Sequence, residues 1–210
     1  MKTADAGNDR IAMAVLTGMV FCGAVLLFGL EPLTGRLLTP YFGGAAHVWL
    51  TCLMFFQAIL FVGYLYSHLF ARKLGVWHLA ILALPLVNLP LQVHAQPDPH
   101  APLAHLLYVL SVSVAIPFAV LSTTAVVAQA WLSKSRLGMH REPYFLYAAS
   151  NAGSLVALLG YTFAAEPLMG VRLQGAAWSL AYVIYACLVV ASWVLLRTPC
   201  YQNQILLLDL

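Results

Sequence analysis

Charge is what this sequence has least of. Only 8% of its 210 residues are Asp, Glu, Lys or Arg, 62% are hydrophobic, and the mean hydropathy is +0.87. Soluble domains carry about 25% charged residues, so too few are present to cover a water-facing surface. A soluble globular domain is excluded, and the class is an integral membrane protein. The balance of 10 basic to 7 acidic residues is too mild to imply nucleic acid.

Cysteine is equally sparse. Cys22, Cys52, Cys187 and Cys200 form no C-x-x-C pair and no zinc-type spacing with histidine. Cys22 is no lipoprotein cleavage site, because Phe21 before it is too large. The apolar run behind Lys2 and Arg10 is too long for a signal-peptide core and reads as a retained first helix. Soluble catalytic signatures are missing as well: there is no P-loop, G-x-G-x-x-G, G-x-S-x-G or H-E-x-x-H. No catalytic residue and no cofactor is expected.

Long apolar runs are what the chain does have. Crossing the hydrocarbon core takes about 20 apolar residues in a helix. Six stretches qualify: Ile11–Leu30, Ala46–Leu69, Val76–Val93, Leu103–Leu132, Tyr144–Ala165 and Ala176–Leu196. The runs are continuous rather than alternating, which excludes strands as spans. Pro85 and Pro90 fall inside the third. Pro117 should bend the fourth and free the Ser113 carbonyl. The expected organisation is a six-helix transmembrane domain over residues 1–197 and a short tail over 198–210.

The basic residues orient these spans. With the N-terminus inside, Lys2, Arg10, Arg72, Lys73, Lys134, Arg136, Arg141 and Arg197 are cytoplasmic and only Arg36 and Arg172 lie outside. Both termini are then cytoplasmic. The basic stretch Lys134–Glu142 meets anionic headgroups or simply fixes topology. Glu142-Pro143 after it suits a helix start.

The two outside arginines follow two copies of one motif. FGLEPLTG begins at Phe28 and FAAEPLMG at Phe163; Gly-Ala-Ala and a tryptophan follow each. Helices 1–2 and 5–6 therefore read as a parallel hairpin repeat, unlike the inverted repeat of a major-facilitator half. Proline should end each helix and leave Glu31 and Glu166 at the negative end of its dipole. Compensation is expected from Glu31–Arg36 and Glu166–Arg172 ion pairs, or from a crossed arrangement between copies. The plainer reading is a solvated turn with interfacial charges, and the sharper one a ligand or proton site.

Two further patterns lie in the spans. Ala149, Gly153 and Ala157 recur every four residues and suit close helix packing. Gln57, Tyr64, Tyr147, Asn151, Ser154, Tyr182 and Tyr185 could line a polar, aromatic-walled cavity of the kind that holds amines; ordinary bundle packing and interhelical hydrogen bonds explain them equally. His94, His100 and His105 gather outside and are weak metal candidates, with no defensible ligand spacing.

Glu31–Leu69 and Glu142–Leu168 together resemble the membrane half of bacterial fused major-facilitator/spermidine-synthase-like proteins. In that family the membrane region precedes a cytoplasmic aminopropyltransferase-like domain, and this chain carries none of that domain's motifs. The resemblance implies a bacterial inner-membrane location. It also implies a non-catalytic anchor or assembly module for membrane or cytoplasmic protein partners. A transporter or binder of a small, polyamine-like cation is the alternative.

Overall fold

The structure, a computed structural model, describes residues 2–70, 75–91, 93, 100–135, 137 and 143–196, with backbone alone for 2–6, 75–78 and 88. His94, Arg72, Lys73, Arg136, Arg141, Glu142, Arg197 and the tail 198–210 lie outside the described residues. The described chain is helical, 91%, and contains no strand. Its elements are α1 (Lys2–Phe42), α2 (Ala46–Phe70), α3 (Gly75–Ala83), a 3₁₀ turn (Leu84–Asn88), α4 (Pro102–Ser113), α5 (Ala115–Ser122), α6 (Thr124–Lys134), α7 (Tyr144–Gly160), a π-helical segment (Tyr161–Ala165), α8 (Glu166–Leu168) and α9 (Val171–Leu196). Four described helical stretches are long and apolar enough to cross a membrane: Gly7–Phe42, Ala46–Phe70, Ala115–Lys134 and Val171–Leu196.

The first helix does not stop where proline predicts. α1 runs for 41 residues with Pro32 and Pro40 inside it. A proline removes one intrahelical hydrogen bond. Ending there would leave the carbonyls of the last turn without donors, so continuing is the cheaper course. The helix ends instead at Gly43, whose φ of 74° is the left-handed cap that glycine accepts. Its N–H donates to the Thr39 carbonyl at 2.9 Å.

Other boundaries differ too. The third stretch is α3, only 9 residues long, followed by the 3₁₀ turn and an extended Leu89. Pro85 and Pro90 deny it a continuous helix. The fourth is three helices, broken at Val114 (φ −126°, ψ −13°) and again at Thr123. Pro117 accounts for the first break, since it cannot donate to the Ser113 carbonyl. The fifth continues past Ala165 to Leu168, and the sixth begins at Val171.

α1 is the central element. α7 and α9 both pack along it, and α5 and α6 touch it, while α2 leans on α4 and α5. In lipid the hydrophobic effect does not drive helices together, so close backbone approach must. A Cβ placed on Gly153 would stand 2.5 Å from the Phe21 carbonyl oxygen and 2.9 Å from the Ala24 Cβ. Ala149, Gly153 and Ala157 are all buried on this face of α7. Gly63 of α2 faces Ser122 of α5 as tightly. Near it the Phe56 and Phe118 rings meet at 4.8 Å. The other side of α2 exposes Leu50, Met54, Phe61 and Leu65, the apolar face a lipid-embedded helix requires.

The two motif copies share sequence but not local shape. From Glu31 to Gly44 the chain has four more residues than from Glu166 to Gly175. Four residues are about one helical turn. The first copy uses them to extend α1, and its Gly-Ala-Ala begins α2. The second breaks at Met169, which is extended, so its Gly-Ala-Ala lies inside α9.

Candidate functional site

The residues of the duplicated turns come together at one end of the bundle, but not in the expected pairs. With α1 continuous, Glu31 and Arg36 are five residues apart, about 140° around the axis, whereas facing pairs lie three or four apart. Glu31 is half-buried on one face and Arg36 points across to the second copy. Glu166 and Arg172 are both exposed, on either side of the Met169–Gly170 break. Among the described residues no ion pair joins Glu31 to Arg36 or Glu166 to Arg172.

The crossing contact is made to main chain. Arg36 Nη1 donates to the Glu166 carbonyl oxygen at 2.7 Å. That carbonyl lies in the last turn of the α7–π–α8 helix, whose final acceptors have no intrahelical donor. A guanidinium there satisfies the acceptor and complements the negative end of the dipole. Gln174 adds a side-chain donor nearby: its Nε2 donates to the Met169 carbonyl at 2.9 Å and to the Ala165 carbonyl at 3.0 Å, which also accepts the Met169 N–H at 3.0 Å. Its Oε1 accepts from the Tyr161 hydroxyl at 3.0 Å. Sequence reasoning passed over Tyr161 and Gln174. The available signal was Gln174 itself, a lone amide beside Gly-Ala-Ala where the first copy has Gly43.

Around this network the turn encloses a cleft of about 590 Å³, lined by Arg36, Tyr161, Glu166, Trp49 and apolar residues of α1 and α2. Trp49 lies against Gly35, close enough that any side chain at position 35 would collide with the indole. A second, apolar crevice of about 280 Å³ runs between α1, α7 and α9.

The seven residues expected to line a polar cavity line neither space. Gln57, Tyr64, Tyr147 and Asn151 lie on exposed faces, and Ser154 is half-buried. Tyr147 donates to Gln129 Oε1 at 3.2 Å, and Ser154 to the Asn151 carbonyl at 2.8 Å. Tyr182 and Tyr185 are buried in packed core. The Trp178 and Tyr182 rings stack at 5.6 Å, and Tyr182 meets Tyr185 at 5.7 Å. Each polar end is satisfied: Trp178 Nε1 donates to the Leu26 carbonyl at 3.0 Å and Tyr182 to the Leu82 carbonyl at 3.1 Å, while Tyr185 shares a 2.7 Å bond with Thr124. Helical spacing put these side chains on one face; α1, α3 and α6 fill the space that face looks into.

His100 is exposed at a turn. His105 packs its ring against Phe42 and Tyr108, at 6.0 Å and 6.1 Å. Among the described residues no three of His, Cys, Asp and Glu gather as a metal site. Compared with family models, curated proteins and solved structures, the chain matches none, so the site is read from its own residues.

Proposed function

We propose that this chain is a non-catalytic, multi-pass module of the bacterial inner membrane that anchors or assembles with partner proteins. It resembles the membrane half of the spermidine-synthase-like fusions and would present a catalytic partner to the cytoplasm. One observation carries this reading over transport: Tyr182 and Tyr185, which would line a central binding chamber, are instead packed with Trp178 in the core, with every polar end bonded internally. A carrier needs a polar path at mid-depth, and this core leaves none at that position. The proposed topology has six passes with both termini cytoplasmic. The α7–π–α8 path and the short α3 with its 3₁₀ continuation complete the four long helices, and basic residues mark the inner side.

Native purification tests the function. The expected result is a second polypeptide at a fixed ratio to this chain, with no spermidine uptake by liposomes that hold the chain alone. Uptake by the lone chain would overturn the module reading. Orientation is checked separately in a cysteine-free background. A cysteine at Gly44 should react with a membrane-impermeant maleimide in intact spheroplasts, and one at Lys134 should react only after lysis.

A further inference from the structure

The cleft at the turn end holds two opposite charges that do not pair with each other. Arg36 and Glu166 both line it. Tyr161 lines the same cleft beside them. Arg36 spends one donor on the Glu166 main-chain carbonyl, yet no ion pair joins its guanidinium to the Glu166 carboxylate. A guanidinium has five N–H donors, so others remain. The exposed Glu166 carboxylate and the remaining guanidinium donors are therefore both available to a ligand in the cleft.

The rest of the wall narrows the chemistry. Trp49, about half exposed, presents an indole ring fixed against α1 at Gly35. Indole faces attract cations. Leu38, Val48 and Val171 supply an apolar floor. The site lies at the end of the bundle where helices turn, the level at which tryptophan and lipid headgroups meet.

We infer that this cleft binds a zwitterion of the phosphoethanolamine type, its phosphate on Arg36 and its primary ammonium between Glu166 and the Trp49 ring. A lone cation would be repelled by Arg36 and leave it unmet. A lone anion would do the same to Glu166. Two sources carry this chemistry: the headgroup of phosphatidylethanolamine in the surrounding leaflet, and a free zwitterion in solution.

The test uses the full chain in detergent, with bound lipid counted by native mass spectrometry after exchange from vesicles. Phosphatidylethanolamine should be retained about tenfold better than phosphatidylglycerol, the worth of one charge-assisted hydrogen bond. Glu166→Gln should erase that preference while keeping the main-chain carbonyl that holds Arg36, so the turn stays assembled. Its melting temperature in detergent checks that it does. Arg172→Gln, outside the cleft, should leave the preference intact. A second arm adds soluble phosphoethanolamine to delipidated protein and reads the melting temperature. Lipid retention without a soluble response assigns the lipid as the source, and the reverse assigns the free zwitterion. Equal retention of phosphatidylglycerol together with no response to soluble phosphoethanolamine, an unchanged lipid preference or soluble response in a folded Glu166→Gln, or a larger thermal shift with spermidine than with phosphoethanolamine would overturn the inference.

Discussion

Gly153→Ala should destabilise the bundle by about 2 kcal/mol, whereas Gly160→Ala, seven residues further along the same helix, should stabilise it by about 0.5 kcal/mol. Both changes add one methyl group and remove the same backbone entropy. They differ in what the methyl meets. At position 153 the neighbours are the Phe21 carbonyl oxygen at 2.5 Å and the Ala24 Cβ at 2.9 Å. A carbonyl oxygen bonded within α1 cannot rotate aside, so α7 must move away along the largest helix contact in the molecule. At position 160 nothing lies within 4 Å and the backbone is right-handed helical, so only the propensity gain remains. Reversible unfolding in mixed micelles measures both. Changes of the same sign would show that α1 and α7 are not held by this approach.

The small-residue stripe behind that prediction was legible because it depends on spacing alone. So was α2, expected over Ala46–Leu69 and observed over Ala46–Phe70, since an uninterrupted apolar run has few alternatives in lipid. Proline was the weak signal. Pro32 reads as a stop, but its cost is one hydrogen bond, and ten further helical residues offset it. Pro117, by contrast, does coincide with a break at Val114. The four-residue difference between the two copies was visible as a gap but had no meaning until α1 was seen to spend it as a turn of helix.

The site divides along the same line. Arg36 and Glu166 were named from the repeat, and they do meet. Their meeting point could not be read, because a main-chain carbonyl has no letter in a sequence and becomes an acceptor only where a helix ends. Gln174 was hidden for the same reason: its three side-chain partners, on Tyr161, Ala165 and Met169, meet it only once the chain has folded back. Tyr182 and Tyr185 were expected to border a cavity, but periodicity cannot say whether a face borders a chamber or another helix.

Tyr182 decides between chamber and core. It is 0% exposed, stacked on Trp178 and tilted against Tyr185, and its hydroxyl donates to the Leu82 carbonyl. That carbonyl lies in the last turn of α3, where the α-helix passes into the 3₁₀ turn, and the tyrosine supplies it with a donor from another helix. Tyr182→Phe should cost about 1–2 kcal/mol, the penalty of one buried unsatisfied carbonyl. Tyr182→Ala should cost about 4 kcal/mol, because a rigid, interlocked site cannot collapse around the lost ring. Unfolding in micelles gives both values. A solvated chamber would behave differently: water would replace the lost hydroxyl, Tyr182→Phe would be nearly neutral, and Tyr182→Ala would enlarge an existing space with a much smaller penalty. The ordering and size of the two losses thus separate a packed assembly module from a carrier, without knowledge of any substrate.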